Sequence, residues 1–409
     1  MICKHPQYEQ SSLIRKIAFF LCGVFVCICD LQPVPKIAVV SCLLPIIYCI
    51  YTLKLSPNIE SLRIEGKSFL IWYGIFICFV CLSSVWSPNS INYSLAPTES
   101  TVFVYKRIFT PLIITSFYYL LCPNSKECSW TLLGLVFGSF ISCIIVLATE
   151  RAYIGLTRLG ATSYGAGPTF GNVATIGAIL SSFFILKRVY PKLFAFMMMF
   201  FFFAIILSAS RQPLICAILG IFIIYSIKQR LTLSSLLKYC IICGFFLVLF
   251  FIATQKIEFL YDAIGFRFEE FFTNNDHSSN EREIMRMFAL HLFSENPIAG
   301  VGIHGFAALF GQWYGWTVWS HCGYTEILSC YGLIGFLIFY SYFFKGGYSA
   351  LCILQNNRLL GALFLSILAN TLLLDMFYVV FLDVRSIFLM GMILQPYTHY
   401  DVNQYNILR

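Results

Sequence analysis

Two arginines and one histidine are the side chains whose types and positions best suit chemistry. Arg158 lies in TRLGATSYGAGPTFGN, Arg211 in LSASRQPL and His321 in VWSHCGYTEILSCYGLIG. Arginine keeps its charge at working pH and presents a planar fork of donors that suits phosphate. Histidine accepts a proton near neutral pH. Two cations and one base are suited to displacing a phosphate leaving group with a hydroxyl.

Each of these residues also has a structural alternative. An arginine near the end of a membrane span can extend its head group to the lipid headgroups. That alternative suits Arg151 and Lys106 well, and it suits Arg211 less well because Arg211 lies in a tight turn. For His321 the alternative is a hydrogen-bonded interfacial residue.

Further ionisable residues lie near His321 or at membrane depth. Glu326 follows His321 by one helical turn and is a candidate for orienting a site residue. Asp375, Asp383 and Arg385 lie in or beside the last two apolar runs. Ionisable groups at membrane depth are functional candidates by default. The alternative is that Asp383 or Asp375 pairs with an arginine and holds the bundle together.

The motifs of other enzyme classes are absent from the sequence or misplaced in it. Gly300, Gly302 and Gly305 match G-x-G-x-x-G, but this match does not follow a strand of a βαβ unit. We interpret these glycines as a sharp backbone turn. The sequence has no P-loop, no H-E-x-x-H and no G-x-S-x-G. It therefore predicts no cofactor and no metal, and most of its 17 cysteines are expected to act as small buried hydrophobes.

The composition indicates which class of protein must position these residues. Hydrophobic residues make up 59% of the 409 residues and charged residues 11%, against about 45–50% and about 25% in soluble domains. This composition excludes a soluble enzyme. The net charge of +8 is spread among apolar runs, so it does not indicate nucleic-acid binding.

The apolar runs predict an all-α fold, a polytopic transmembrane helical bundle of about 12 spans. Eleven is the alternative count. Gly134 and Gly138 form a G-x-x-x-G that is expected to pack two helices closely. The predicted spans are 16–30, 37–53, 68–86, 104–121, 130–149, 170–186, 193–209, 212–227, 239–254, 322–344, 359–376 and 384–398.

The distribution of Lys and Arg predicts the orientation. If both termini are cytoplasmic, most of the basic residues fall in inner segments, as the positive-inside rule requires. Arg158, Arg211 and His321 then share the outer face. The chain divides into helices 1–9 (1–254), a long periplasmic loop (255–321), and helices 10–12 with the C-terminus (322–409).

The loop 255–321 is a candidate roof over an active site, the alternative being a passive solvated linker. Segments 257–272 and 281–293 are amphipathic, so each is expected to form a short helix that can lie on the membrane surface. The stretch 313–319 (WYGWTVW) offers aromatic faces. These faces suit sugar stacking and an interfacial belt equally well.

Four short stretches carry a resemblance to a known family. The segment from Arg282 to Gly335 contains ENPIAGVGIHGF and SHCGYTEILSCYGLIG, and LSASRQPL and SSVWSP (83–88) precede it. Together they resemble the O-antigen ligase and O-antigen polymerase superfamily of bacterial envelopes. That family has an arginine-led helix, a Pro-x-x-Gly-x-Gly turn, a His-led segment, a Ser-Arg turn and an early Trp-Ser motif. The layout matches over most of the chain.

The resemblance implies a reaction and roles for these residues. The family joins a polyprenyl-pyrophosphate-linked glycan to a sugar hydroxyl at the outer face of the inner membrane. Arg158 and Arg211 would hold the pyrophosphate, and His321 would activate the hydroxyl. Cys322 stands where the family has Asn, so another residue would have to orient the histidine. The candidate substrate-binding and orienting residues are Arg282, which matches the loop arginine, and Tyr324, Glu326 and Arg151.

We therefore expect a metal-independent glycosyltransferase, an O-antigen polymerase, in the bacterial inner membrane. The alternative is an O-antigen ligase that transfers the glycan to lipid A-core, and from another class a polyprenyl-linked glycan flippase. The expected partners are an undecaprenyl-pyrophosphate-linked glycan donor, a sugar acceptor on a lipid carrier or on lipid A-core, and membrane lipid. A chain-length regulator protein is a further candidate partner, and no nucleic acid is expected.

Overall fold

The structure, a computed structural model, is all-α in the part of the chain that it describes, which confirms the predicted fold class. The described residues are 13–52, 64–88, 101–121, 125–153, 159–164, 167–229 and 277–393, with the single positions 252, 256 and 261. No β-strand occurs among them.

The described part of the chain contains three 3-10 turns and fifteen α-helices. They are α1 (Leu13–Ile28), α2 (Lys36–Ser41), α3 (Leu44–Thr52), α4 (Ile64–Leu82), α5 (Thr101–Leu120), α6 (Ser125–Thr149), α7 (Ala161–Tyr164), α8 (Gly167–Leu186), α9 (Pro191–Leu207), α10 (Arg211–Gln229), α11 (His277–Glu295), α12 (Gly305–Tyr314), α13 (Gly323–Asn356), α14 (Arg358–Asp375) and α15 (Val384–Ile393).

Within the described ranges, six helices are long and apolar enough to cross a membrane: α4, α6, α8, α10, α13 and α14. The α2–α3 segment, α9 and α15 are shorter apolar helices. These helices support a polytopic membrane protein. The predicted span 239–254 lies outside the described residues apart from Ile252, so the count of twelve stays a prediction.

Most predicted boundaries lie within a few residues of the helix ends, and the predicted spans 37–53 and 322–344 are the two that differ from the structure. The predicted span 359–376 is α14, Arg358–Asp375, and the amphipathic segment 281–293 lies within α11. The predicted span 37–53 is wrong as one helix, because α2 and α3 are separate. Pro45 has no N–H to donate to the preceding turn, so a new helix starts there instead. Segment 257–272 lies outside the described residues except for Tyr261.

Helices α1 and α6 approach each other through glycines, as the G-x-x-x-G motif predicted. A β-carbon on Gly134 would overlap the Phe20 carbonyl, and one on Gly138 would lie 2.8 Å from the Cα atom of Val24. Gly23 on α1 meets the backbone of α6 in the same way. Small residues therefore allow the two backbones to touch, which fixes this pair in the bundle.

Helix α13 is not straight, and this is the main difference from the predicted span 322–344. Gly332 has φ 61° and ψ −163°, a conformation that interrupts the helix. The rings of Tyr324 and Tyr340 stack with centroids 5.0 Å apart, whereas 16 residues of straight helix would separate them by about 24 Å. The short arm, 323–331, therefore folds back along the long arm, 333–356.

The turn after α11 supplies the hydrogen bonds that this break removes. Val301 N and Gly302 N donate to the carbonyls of Ser329 and Cys330 at 2.9 and 2.8 Å. Leu333 N and Ile334 N donate to the carbonyls of Pro297 and Ile298 at 2.8 and 3.1 Å. Segment 297–302 thus supplies hydrogen-bond partners for four peptide groups of α13 beside the break, where the helix cannot supply them itself.

The early Trp-Ser motif attaches to the same turn. The indole of Trp86 donates to the Gly300 carbonyl at 3.2 Å, and the Ser87 hydroxyl donates to the Ile303 carbonyl at 2.6 Å. A β-carbon on Gly302 would lie 2.7 Å from the Cα atom of Ser87. SSVWSP and AGVGIHG, which lie far apart in the sequence, therefore form one structural unit.

Buried ion pairs account for several of the charges at membrane depth. Arg385 is 1% exposed, and its Nε donates to Asp383 Oδ1 at 2.8 Å. Asp383 also accepts from the Ser386 backbone N–H at 3.0 Å. Arg107 pairs with Asp30. The Asp383–Arg385 pair of the alternative therefore forms, but it is local to the start of α15, whereas the Arg107–Asp30 pair joins two separate segments of the bundle.

We predict that Gly332→Ala destabilises the protein by at least about 2 kcal/mol. The backbone conformation at Gly332 is accessible almost only to glycine, and a β-carbon there would also overlap the Ile298 carbonyl. Thermal unfolding in detergent measures the effect.

The matched control is Gly347→Ala in the same helix, where a β-carbon meets nothing within 4 Å. Alanine there should be neutral or stabilising, because it favours helix over glycine. Equal stability of the two variants would contradict the folded-back helix.

Candidate functional site

His321 lies in the turn that leads into the short arm of α13. It adopts a left-handed conformation with φ 54° and is half-buried. Burial and the positive charges of Arg282 and Arg286 lower the pKa of His321 to about 4. Its imidazole is therefore neutral near pH 7 and able to accept a proton.

Glu326 shapes the turn that holds His321. It is fully buried, and its Oε2 accepts the backbone N–H of Ser320 at 2.7 Å. The Ser320 hydroxyl donates to the Cys322 carbonyl at 2.8 Å, which closes the turn around His321. Glu326 thus acts on His321 through the backbone of the preceding residue.

Tyr324 and Asp375 fix the short arm against α14. The Tyr324 hydroxyl donates to the Leu372 carbonyl at 2.9 Å. Asp375 is buried against Gly323, and it accepts hydrogen bonds from the Tyr340 hydroxyl and from Val380 N. Among the described residues Asp375 pairs with no arginine, so the predicted Asp375–Arg pair does not form.

Arg211 is the first residue of α10, and this start of α10 lies beside the C-terminal end of α14. It follows Ala209, which has φ 48°, and it is half-buried. The Gln212 side chain donates to the Leu374 carbonyl at 3.5 Å. Gln212, which follows Arg211, and Gly323, two residues after His321, therefore contact consecutive residues of one helix end, Leu374 and Asp375.

The two other predicted outer arginines have different outcomes. Arg158 lies outside the described residues, so its assignment stays a prediction. The residues that follow it are held by Glu150, which accepts the N–H groups of Gly160 and Ser163, each at 2.7 Å. Arg151 is exposed in a 3-10 turn after α6.

Arg282 and Arg286 both belong to α11, which packs against α13. Their spacing of four residues puts them on one face of the helix. The resemblance identifies Arg282, whereas the sequence alone gives Arg286 no role. The only sequence signal for Arg286 is its spacing of four residues from Arg282. That spacing can be interpreted only when α11 is known to lie beside His321.

His304 is a second unusual histidine close by. It is 1% exposed with φ 58°, and its ring lies 5.0 Å from the ring of Trp319. Burial lowers the pKa of His304 to about 4. Neither ring nitrogen has a hydrogen-bond partner among the described residues, and an unpaired buried polar group is costly.

The aromatic stretch after α12 is partly exposed. Trp313 is 75% exposed, and Tyr314 and Trp316 are exposed around Phe310, whose ring stacks on that of Tyr314 at 4.4 Å. This arrangement leaves sugar stacking and an interfacial belt both open. In the described ranges, no three His, Cys, Asp or Glu side chains form a metal-binding group.

The fold and site define a multi-helix membrane protein with a cationic, histidine-containing site at one end of its bundle. Residues 194–340 match the family model described as O-antigen ligase. This match confirms the resemblance to the O-antigen ligase and polymerase superfamily, and the matched segment contains Arg211, Arg282 and His321. No curated protein sequence matches the chain.

We predict that Glu326→Ala impairs the site more than Glu326→Gln. Alanine leaves the buried Ser320 N–H without an acceptor, which costs about 1–3 kcal/mol and releases the His321 turn. Glutamine keeps an acceptor oxygen at that position. Thermal unfolding and glycan transfer should both rank wild type, then glutamine, then alanine, and an alanine variant equal to wild type in both would exclude this positioning role.

Proposed function

We propose that the chain is an O-antigen polymerase of the bacterial inner membrane, with its site facing the periplasm and both termini in the cytoplasm. It would transfer a polyprenyl-pyrophosphate-linked glycan onto a sugar hydroxyl of another lipid-linked repeat unit. The observation that carries the proposal is a neutral histidine set beside two arginines, inside the segment that matches the O-antigen ligase family.

The proposed reaction needs one base and positive charges that stabilise one anionic leaving group. His321 takes the proton from the acceptor hydroxyl while its oxygen bonds to the anomeric carbon of the donor glycan. The bond from that carbon to the phosphate oxygen breaks, and polyprenyl pyrophosphate leaves with the electron pair. Fixed cations stabilise the charge that develops there. Arg211 and Arg282 take this role, with Arg158 as a further candidate.

The lowered pKa of His321 supports its role as the base. Burial of the imidazole, and to a lesser extent the two nearby arginines, disfavour its protonated form, so the histidine stays available in its neutral form before the reaction. The buried Glu326 fixes the turn, and Cys322 occupies the position where the family has Asn. The acceptor hydroxyl would therefore approach a histidine whose orientation is set by the hydrogen-bonded backbone of its turn.

A ligase that transfers the finished glycan to lipid A-core is the second candidate. The matched family model is described as O-antigen ligase, which favours this candidate as much as the first. Both enzymes would use the same donor chemistry and differ only in the acceptor. An undecaprenyl-pyrophosphate-linked donor, and a chain-length regulator protein as partner of a polymerase, belong to the same proposal.

A deletion strain separates the candidate functions on a lipopolysaccharide gel. Core capped by a single repeat unit indicates a polymerase. Core without O-units, together with polymer accumulating on the lipid carrier, indicates a ligase. Loss of all O-units without accumulated polymer would indicate a flippase and would contradict the proposal.

We predict that His321→Ala and Arg211→Ala each abolish polymer formation while the protein still inserts into the membrane. Loss of a general base should lower the transfer rate by about 10²–10⁴-fold. The matched control is His291→Ala, an exposed histidine of α11 beside Glu295. Near-normal polymer in either site variant would refute the role assigned to that residue.

We also predict that the transfer rate is nearly constant from about pH 7 to about pH 5 and falls towards pH 4. His321 acts as a base only when deprotonated, and its pKa is lowered to about 4. Initial rates with purified protein and a lipid-linked donor provide the profile. A half-maximal rate near pH 6.5, where an unperturbed histidine titrates, would contradict the described environment.

A further inference from the structure

Asn172, near the start of α8, is a buried amide that makes no hydrogen bond within the described part of the chain. Its side chain is 3% exposed, and neither its Oδ1 nor its Nδ2 has a partner among the described residues. An amide that gives up its hydrogen bonds to water and gains none in the fold is costly. Asn172 is therefore suited to a ligand that offers it both a donor and an acceptor.

Two neighbours on α8 show the direction in which Asn172 points. The Thr175 hydroxyl donates to the Pro213 carbonyl at 2.8 Å, so Thr175 faces the start of α10. The side chains of Thr169 and Tyr378 interact, so Thr169 faces the segment that follows α14. At about 100° per residue, Asn172 lies between these two directions, about 60° from each. Its amide therefore points between Pro213 and Tyr378.

Both of these neighbours belong to segments that carry the site residues. Pro213 lies two residues after Arg211, in the first turn of α10. The Tyr378 carbonyl accepts the N–H of Gly323 at 3.1 Å, and Gly323 lies two residues after His321. The buried amide is thus directed between the Arg211 turn and the His321 turn.

The depth of Asn172 in the bundle agrees with this direction. A β-carbon on Gly220 would touch Ile179 of α8 and Asn370 of α14 together, so these two residues lie at one level. From Ile179 back to Asn172 is a helical rise of about 10 Å, and from Asn370 to the end of α14 it is about 8 Å. Asn172 therefore lies level with segment 376–379, which follows α14.

The chemistry of an amide indicates which ligand fits between the two turns. An asparagine side chain donates and accepts hydrogen bonds and carries no charge. A phosphate accepts hydrogen bonds, so it would satisfy Nδ2 and leave Oδ1 without a donor. A sugar hydroxyl, or the acetamido group of an amino sugar, donates and accepts as the amide does. The amide therefore fits the neutral polar groups of a glycan better than a phosphate.

We propose that Asn172 binds the first sugar of the donor glycan, the sugar whose anomeric carbon is attached to the pyrophosphate. This assignment rests on the proposed function and deepens it, because that sugar must lie between the leaving group and the hydroxyl that His321 activates. Asn172 is a substrate-binding residue and takes no proton. Since the amide is enclosed, binding requires a shift of the Arg211 turn or of segment 376–379.

The test compares undecaprenyl pyrophosphate that carries one O-antigen repeat unit with undecaprenyl pyrophosphate that carries no sugar. Dissociation constants are measured in lipid nanodiscs, in protein that also carries His321→Ala so that no donor is consumed. Asn172→Leu should raise the constant of the glycan-bearing lipid about tenfold or more, as expected for lost hydrogen bonds. The constant of the sugar-free lipid should change little. Asn172→Ala, with a smaller side chain, should show the same selective loss.

Thermal unfolding of the protein without added lipid separates a binding role from a structural one. An amide that makes no bond in the fold does not stabilise it, so Asn172→Leu should unfold at the wild-type temperature or above it. A clear loss of stability in Asn172→Leu would show that the amide is bonded within the fold, which contradicts the inference.

The matched control is Ser181→Ala in the same helix. Ser181 is fully buried, and its hydroxyl also has no partner among the described residues. It lies about 14 Å further along α8 and on the opposite face from Asn172. Ser181→Ala should therefore keep the wild-type dissociation constants for both lipids.

The outcomes distinguish this inference from the proposed function. Unchanged binding of the glycan-bearing lipid in Asn172→Leu, as expected if the amide binds only an enclosed water, overturns the inference. Equal weakening of both lipids means that Asn172 supports the turns themselves, which also overturns it. A ligase phenotype of the deletion strain overturns the polymerase assignment alone, because the selective loss of the glycan-bearing lipid would remain. If protein with Asn172 intact binds neither lipid, both proposals fail.

Discussion

Peptide groups in and near a membrane have little water to bond with, so a broken helix there needs replacement partners. At Gly332 four such partners come from one segment, 297–302. That segment joins α11 to α12. The hydrogen bonds that complete the break therefore also position α11, which carries Arg282 and Arg286. The fold-back returns His321 to the end of α14, where the Arg211 turn also lies. Backbone hydrogen bonding thus assembles residues that are more than a hundred positions apart.

The electrostatics of the site follow from this assembly. Arg282 and Arg286 are brought beside His321, and burial together with their positive charges lowers the pKa of His321, so the imidazole is neutral and can accept a proton. Other charges have structural partners: Arg385 with Asp383, Arg107 with Asp30, and Arg15 with Glu127. The ionisable groups therefore divide into those that hold the bundle together and those that surround His321.

Helix positions were predictable because long apolar runs end at polar or basic residues, as α14 shows. The fold-back at Gly332 was not predictable from the sequence, since YGLIGFLIF has the composition of a continuous span. Only the tertiary hydrogen bonds show that the helix turns there. Residue type and predicted topology indicate Arg211 and His321 as candidates, and the motif resemblance adds Arg282. Arg286 was assigned no role because its importance depends on the direction of α11. The sequence indicates Glu326 as a candidate for orienting a site residue, and in the structure Glu326 accepts the Ser320 N–H next to His321.

The most direct test of the account is a cryo-EM structure of the protein in lipid nanodiscs with geranylgeranyl pyrophosphate bound. The account predicts that the rings of Tyr324 and Tyr340 lie in contact across the folded-back α13. It also predicts pyrophosphate density at Arg211 and Arg282, within reach of His321. A straight α13, or pyrophosphate bound away from these arginines, would contradict it.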